Sequence, residues 1–274
     1  MPVYDVNGNE IVSGSGGGGD STDHAAEAKN KLQGKVWIAI GDSYTVGMAS
    51  QLSSLATKYG MIIDNRGKVS ATISMRSTDA ARRLYNITNT VISNYTSGYT
   101  ISGATYTAEN VGLVTFMAGA NDGAGIATWI GTGAHETANT TIYGSLNYIF
   151  NALTKTFTKA KIVCVTQPAN FASAVSSLSS DEDARNNGFE DLAEAQVMDD
   201  YQYSNYLHAN KEAAVKDCAW RYGLEIVDMF HDFPSMENPS NRSAYWASDK
   251  LHLTSAGYTL VANGIDKKIL EVFG

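Results

Sequence analysis

Five apolar, β-prone runs alternate with helix-forming segments, and this alternation limits the fold more than any other feature of the sequence. Each run is almost continuously hydrophobic, which is typical of a strand that is buried on both faces. The runs are KVWIAIGDS (35–43), MIIDNRG (61–67), VGLVTFMAGAND (111–122), AKIVCVTQPAN (160–170) and LEIVDMF (224–230). Such runs predict a three-layer α/β/α fold with a doubly wound, mainly parallel five-stranded sheet.

Helix-forming segments fill the intervals between these runs. They are residues 46–60, 77–94, 145–157, 204–223 and 254–274. Two polar segments interrupt the alternation: residues 94–112, rich in Gly, Thr and Tyr, and the acidic residues 170–203. Long connections at the ligand-binding edge of a sheet usually shape specificity, and we expect both segments there. Because Lys and Arg are sparse in them, they disfavour a strongly anionic substrate.

Residues 1–33 differ in composition from the rest of the chain. Two short β-prone stretches flank Asn7-Gly8, which predicts a two-residue hairpin turn. A flexible linker, SGSGGGGDSTD, and a short helix that stops at Gly34 follow. We therefore predict a leader over residues 1–33 and a single compact domain over residues 34–274.

Composition excludes several classes of function. The formal net charge of −8 argues against a general affinity for nucleic acids or anionic membranes. No apolar stretch is long enough to predict a membrane span. The first residues lack the pattern of a signal peptide, so a cytoplasmic location is the default expectation, with secreted or particle-associated locations left open. Cys164 and Cys218 lack a CxxC partner, and we expect both to be buried thiols.

Polar side chains follow the strands at the point where each strand ends. Ser43 comes directly after the first strand, Asn121 follows the third, and Asp249 and His252 come after the fifth. Because the carboxyl ends of parallel strands meet at one edge, we expect these side chains to lie close together. Ser43 has two interpretations at this stage, a helix cap or a nucleophile.

Four sequence blocks carry a resemblance to a known family. They are IAIGDSYT with Ser43, NRGKVSATI with Gly67, MAGAND with Asn121, and DKLHLTSAG with Asp249 and His252. In this order and spacing the chain resembles the SGNH/GDSL-type hydrolases, esterase- and lipase-like enzymes with a flavodoxin-like fold. The resemblance covers roughly residues 35–274, and each block stands at a predicted strand end or just beyond the last strand.

The resemblance implies a serine esterase mechanism. Ser43 would be the nucleophile, His252 its general base, and Asp249 the group that orients the imidazole. The backbone N–H groups of Ser43 and Gly67 and the side-chain amide of Asn121 would form the oxyanion hole. The residue chemistry supports the same roles, since imidazole titrates near neutral pH. Neither a metal nor a cofactor is expected.

Other residues are weaker candidates. Arg66 and Trp246 are candidate substrate-binding residues, and His231 with Asp232 is an alternative to the proposed base and its partner. A tyrosine cluster could supply a sugar-stacking platform; its members are Tyr201, Tyr203 and Tyr206. We expect Asp42 to be structural.

The best-fitting substrate is a short-chain ester, in particular an O-acetyl group on a carbohydrate. No extended apolar lid is evident for a long acyl chain, and the polar, tyrosine-rich loops suit a sugar. Two alternatives remain open. The domain could be a glycan-binding module with little catalysis, tethered to a larger assembly by its leader, or it could transfer acyl groups to sugars. The sequence predicts no oligomeric state.

Overall fold

The computed structural model describes residues 3–4, 10–11, 21–75, 77–122, 130–133, 135–170, 178–186, 189–235 and 238–274. The strands are β1 (Val3–Tyr4), β2 (Glu10–Ile11), β3 (Val36–Gly41), β4 (Ile62–Gly67), β5 (Tyr99–Ile101), β6 (Ala104–Tyr106), β7 (Val111–Met117), β8 (Lys161–Val165) and β9 (Glu225–Val227). The helices are α1 (Ser21–Leu32), α2 (Ser43–Gly47), α3 (Ala49–Tyr59), α4 (Leu84–Ser97), α5 (Ile142–Thr156), α6 (Asp181–Asn186), α7 (Leu192–Gln196), α8 (Asp200–Arg221), α9 (Met229–Asp232), α10 (Pro239–Tyr245) and α11 (Ser255–Phe273).

The central sheet has the strand order β4-β3-β7-β8-β9, and every neighbouring pair is parallel. These five strands are the five apolar runs, so the predicted doubly wound sheet is confirmed. The direction in which strands are added reverses between β3 and β7. A crevice forms at such a reversal beyond the carboxyl ends of the strands, which is where α/β sheets bind ligands.

Side chains of β3 alternate between two hydrophobic cores, one on each face of the sheet. Val36, Ile38 and Ile40 pack with residues of α4, α5 and α8. Trp37 and Ala39 pack with residues of α1, α3 and α11. Because both sets are buried, the strand reads as an unbroken apolar run. The predicted three-layer α/β/α arrangement is confirmed.

The helix α1 packs on the domain, so the predicted boundary at residue 34 is too late. Ala28 and Leu32 are fully buried in the core that contains α3 and α11. Within the leader, β1 and β2 pair antiparallel. The predicted turn at Asn7-Gly8 and residues 13–20 of the glycine-rich linker lie outside the described residues.

Two truncations test this boundary. Removing residues 1–20 is expected to leave the free energy of unfolding unchanged, because α1 remains. Removing residues 1–33 is expected to lower it by at least about 3 kcal/mol, because Leu32 and Ala28 no longer cover the core. Urea unfolding of the two truncated proteins and the full chain measures both. Equal stability of the two truncations would contradict the placement of α1.

One predicted helix is broken in the structure. Residues 77–94 form a 3₁₀ turn at Ala80–Arg82 and then α4, with Arg83 extended between them at φ −83° and ψ 119°. Thr72 causes the break, because its N–H donates to the carbonyl of Arg82 at 2.9 Å and its own carbonyl accepts from Leu84 at 2.9 Å. No helix in the described ranges is long and hydrophobic enough to span a membrane.

The two polar insertions take different positions. The first, residues 94–112, forms the end of α4, the β5–β6 hairpin and a 3₁₀ turn, Ala108–Asn110, that joins β7 at its amino end. That turn is therefore not beside the carboxyl edge, where we expected the insertion. The described part of residues 170–203 contributes to a small helical unit with its own core. Its buried residues are Leu178, Ala184, Phe189, Ala195, Tyr203 and Leu207.

Candidate active site

Ser43 is the first residue of α2, directly beyond the carboxyl end of β3. The N-cap of this helix is Asp42, whose Oδ1 accepts a hydrogen bond from the Tyr44 N–H at 3.0 Å. The Ser43 hydroxyl makes a different contact, since its Oγ lies 3.0 Å from Nε2 of His252. The aspartate therefore caps the helix, and the serine side chain faces a histidine.

Asp249 holds the other side of the His252 ring. Its Oδ2 lies 2.7 Å from Nδ1 of His252, and its Oδ1 accepts the backbone N–H groups of Leu251 and His252 at 3.0 and 2.9 Å. The hydrogen bond from His252 keeps the pKa of the Asp249 carboxyl below its usual range. An ionised carboxylate only accepts hydrogen bonds, so the proton sits on Nδ1. The lone pair of Nε2 then faces the Ser43 hydroxyl.

The segment that carries these two residues is fixed by contacts that the sequence did not predict. Tyr44, fully buried, donates its hydroxyl to the carbonyl of Leu251 at 2.5 Å. Trp246 pairs with Leu253 through an isolated antiparallel bridge. The indole is 4% exposed and packs edge-on against Phe233, with ring centroids 4.9 Å apart. The position of Tyr44 next to Ser43 is the one signal that could have pointed to its role.

Asp42 anchors α2 to the segments that follow β7 and β8. It has no exposed surface and accepts the N–H groups of Gly119 and Ala120 at 3.3 and 3.4 Å, besides that of Tyr44. Nε2 of Gln167 lies 2.9 Å from each of its carboxyl oxygens. Burial raises the pKa of Asp42 to about 6, and these hydrogen bonds oppose the rise. Sequence reasoning left Gln167 without a role, although it lies two residues beyond the end of β8.

Gly67 ends β4 against the first turn of α2. A Cβ at this position would lie 2.8 Å from the backbone N of Val46, so glycine is required for the close approach of helix and strand. The Gly67 N–H donates to Oδ1 of Asn65 at 2.9 Å, and Nδ2 of Asn65 donates to the Thr45 carbonyl at 3.2 Å. In this structure the Gly67 N–H, expected to bind an oxyanion, is used within the protein.

Asn121 and Asp122 bind the loop that follows β4 to the end of β7. Nδ2 of Asn121 donates to the carbonyl of Ala71 at 2.9 Å. The Asp122 carboxyl accepts the N–H groups of Ile73 and Ser74 at 2.7 and 2.8 Å. Asn121 therefore lies beside this loop, with one of its two amide hydrogens used.

Lys211 of α8 holds the turn from Gly119 to Asp122, which contains Asn121. Its side chain is 4% exposed, and Nζ donates to the carbonyls of Gly119 and Asp122 at 3.1 and 3.2 Å. The two bonds fix both ends of the turn that contains Asn121. Sequence reasoning missed Lys211 because it lies within a helix-forming segment with no local motif.

Arg66 and Trp246 each line a cavity. Nε of Arg66 lies 2.8 Å from an oxygen of Asp64, and the guanidinium is 4.5 Å from the Tyr99 ring centroid, so this cation is already paired. The first cavity, about 350 Å³, is lined by Asn65, Arg66, Gly67, Lys68, Ala81, Asn86, Ile87, Thr90 and Val91. The second, about 280 Å³, is lined by Ala169, Asn205, Phe230, His231, Phe233, Pro234, Ser235 and Trp246.

Two weaker predictions differ from the structure. His231 pairs with Asp228, at 2.9 Å, and not with Asp232, because Asp228 is the N-cap of α9 and faces the ring three residues later. The predicted tyrosine platform loses Tyr203, which is 2% exposed and packs against Phe189 in the small helical core. The side chain of Tyr201 lies outside the described residues.

Within the described ranges, no group of three or more His, Cys, Asp or Glu residues is arranged to hold a metal ion. The polar groups at the sheet edge form a different kind of site, with a hydroxyl, an imidazole and a carboxylate in series.

Comparisons with known proteins agree with this architecture. The GDSL-like Lipase/Acylhydrolase family matches residues 39–260. Comparison with curated proteins gives no match. A protein from Lactobacillus plantarum of known structure is similar, with a TM-score of 0.58, 18% identity and coverage of 89% of this chain and 100% of that chain. A candidate SGNH hydrolase from Slackia heliotrinireducens has a TM-score of 0.53, 15% identity and coverage of 88% and 100%.

The structural similarity at this level of identity establishes the fold, and the family match establishes the class. The match spans most of the chain and includes the segments that carry Ser43 and Asn121. The chain belongs to the GDSL-like lipase/acylhydrolase family and is a carboxylic ester hydrolase.

Proposed function

We propose that the protein is a serine esterase for short-chain acyl esters, with Ser43, His252 and Asp249 as its catalytic residues. One observation carries the proposal: Ser43 Oγ, the His252 ring and the Asp249 carboxyl are joined by contacts of 3.0 and 2.7 Å. The position of Nε2 of His252 is that of a general base toward the Ser43 hydroxyl.

The reaction follows from these contacts. Ser43 Oγ attacks the acyl carbon while Nε2 of His252 takes the hydroxyl proton, and Asp249 stabilises the imidazolium. The proton then passes to the leaving alcohol oxygen as the ester C–O bond breaks. Water repeats the sequence on the acyl-serine, releasing the carboxylic acid and restoring the Ser43 hydroxyl.

The oxyanion requires donors beside Ser43. The Ser43 N–H opens the first turn of α2 and has no partner among the described residues, so it is available. Asn121 retains one amide hydrogen. In place of Gly67 we assign the third donor to Ser70, which adopts a left-handed φ of 58° in a turn closed from Ala71 N–H to the Lys68 carbonyl. Such a backbone in a non-glycine residue is sparsely populated and concentrates at functional sites.

For the alcohol part of the substrate we propose a carbohydrate that carries O-acetyl groups. The cavity beside Gly67 combines hydrogen-bonding side chains, including Asn86 and Thr90, with the apolar side chains of Ile87 and Val91. Such a mixture suits a sugar ring, which has hydroxyl groups on its edge and C–H groups on its faces.

A series of esters tests this assignment. We expect kcat/KM for p-nitrophenyl acetate to exceed that for the octanoate by at least about tenfold, an amount within reach of differential acyl binding. At equal substrate concentration, acetate should be released faster from acetylated xylo-oligosaccharides than from p-nitrophenyl acetate. Preference for octanoate, with no acetate released from the sugar, would refute the proposed substrate while leaving the esterase chemistry intact.

The same assays separate the alternatives. An acyltransferase would move acetate from the aryl ester to an added xylose acceptor in preference to water, and mass spectrometry detects the acetylated sugar. A binding module would turn over none of the esters. The contacts that join the Ser43 hydroxyl, the His252 imidazole and the Asp249 carboxylate favour hydrolysis over a role in binding alone.

A further inference from the structure

A fully buried amide lies behind the helix that carries Ser43. Both Asp42 oxygens face Nε2 of Gln167 at 2.9 Å and otherwise accept backbone N–H groups. All of these partners are donors, which identifies the end of the Gln167 amide that faces Asp42 as the NH₂ group. The carbonyl oxygen Oε1 must face the other way. It is buried and has no hydrogen-bond partner among the described residues.

Glu212 of α8 lies near the same carbonyl oxygen of Gln167. It is 1% exposed, and neither carboxyl oxygen has a hydrogen bond of good geometry within the described part of the chain. A Cβ placed on Gly119 would lie 3.6 Å from Oε1 of Gln167 and 3.8 Å from Oε1 of Glu212. The two oxygens therefore border one small space beside Gly119. Two buried acceptors without a donor between them are unfavourable, and a protonated carboxyl supplies that donor.

We propose that Glu212 is a positioning residue that keeps its proton and donates it as a hydrogen bond to Oε1 of Gln167. The Gln167 amide, fixed by this bond, then holds the Asp42 carboxyl in place through its NH₂ group. Asp42 in turn caps the first turn of α2, which contains Ser43. The hydrogen-bonded series Glu212–Gln167–Asp42 thus joins α8 to the nucleophile. Its effect on turnover rests on the proposed role of Ser43, whereas the protonation of Glu212 does not.

The charges around Glu212 agree with a neutral carboxyl. The groups that act on it from the packed elements are Asp42 beyond β3, Tyr44 in α2, Cys164 in β8, Asp228 beyond β9, and Lys211 on its own helix. Two are carboxyl groups, and the Lys211 ammonium is bound to carbonyl oxygens. Burial raises the pKa of Glu212 to about 8, while the Gln167 backbone N–H and Lys211 oppose the rise.

The proton on Glu212 makes the stability of the folded protein depend on pH. The folded protein holds this proton more tightly than the unfolded chain, because its pKa is raised from 4.5 to about 8. The stabilisation is complete at low pH and is lost as the pH rises toward and through 8. Above that pH an ionised Glu212 repels Oε1 of Gln167, which loosens Asp42 and Ser43.

Glu212→Gln tests the protonation without any assay of activity. Its amide NH₂ replaces the acid O–H as the donor and does not ionise. We expect the thermal midpoint of the variant to rise by about 5 °C relative to that of the wild type between pH 6.5 and pH 9.5. Glu109→Gln, at an exposed glutamate paired with Lys159, is the matched control and should show no such divergence. Parallel curves for wild type and Glu212→Gln would overturn the proposal.

Kinetics test the connection to Ser43. For p-nitrophenyl acetate, wild-type kcat should fall at least about fivefold between pH 7.5 and 9.5 with KM unchanged, and Glu212→Gln should remove this fall. Glu212→Leu, which lacks a donor, should lower kcat at every pH. An alkaline fall that persists in Glu212→Gln would overturn the connection. If wild type hydrolyses no ester, the proposed function fails, and the thermal series still decides the protonation of Glu212.

Discussion

Replacing Ser43 with alanine is expected to lower kcat/KM for p-nitrophenyl acetate by at least about 10⁴-fold. The variant lacks the only oxygen that contacts Nε2 of His252 among the described residues. The fold should remain, because the N-cap of α2 is Asp42 and not the serine. We therefore expect a change in the free energy of unfolding below about 1 kcal/mol.

The measurement pairs turnover with covalent labelling. A phosphonate that mimics the ester should form a covalent bond to Ser43 in the wild type. Mass spectrometry of the digested protein would identify the labelled residue. Ser53→Ala, at an exposed serine on α3 whose hydroxyl donates to the Ala49 carbonyl, is the matched control and should keep full activity. Removing a nucleophile should lower activity by far more than about tenfold. If Ser43→Ala retains more than about a tenth of the wild-type activity, Ser43 does not attack the ester.

Replacing His252 with glutamine is expected to lower kcat by about 10³- to 10⁴-fold, with a small change in KM. Glutamine keeps a polar side chain near Ser43 but cannot take its proton at neutral pH. The double variant with Ser43→Ala should be no slower than the slower of the two single variants, because residues that act in one step lose their effect together. Additive losses would show that the two residues act in separate steps.

His231 provides the control for this experiment. It also bonds a carboxylate through Nδ1, that of Asp228 at 2.9 Å, and it lies in α9, which follows β9. No contact joins it to Ser43 in the described part of the chain. His231→Gln should therefore keep kcat within about twofold, as expected for an exposed substitution away from the site. Loss of activity in His231→Gln with retention in His252→Gln would exchange the two histidines in the mechanism.

Much of the sheet and its edge could be predicted because burial leaves a direct trace in the sequence. A strand covered on both faces must be apolar at successive positions, as β3 is from Val36 to Ile40. Once the strands are parallel, their ends meet, and this brings His252 to Ser43 across 209 positions of the chain. The helix break at Arg83 escaped prediction because its cause, Thr72, is in a different segment.

The use of individual polar atoms was less predictable. Gly67 stands where the resemblance implies an oxyanion donor, yet its N–H is donated to Asn65 two residues away. Glu212 and Lys211 read as ordinary polar residues of a helix-forming segment. Hydrophobic periodicity shows which face of a helix is apolar, but it does not show that these two side chains are buried.

The sequence by itself determined the class of fold, the position of each buried strand along the chain and the placement of a hydroxyl, an amide and an imidazole at one sheet edge. These properties depend on local apolar patterning and on the parallel direction of the strands. Only the tertiary structure decided that Asp42 caps α2, that Gln167 holds Asp42, and that Glu212 lies behind both. Such assignments depend on the distances between atoms of segments as far apart as 125 residues, and a hydrogen bond is made or lost within a few tenths of an ångström.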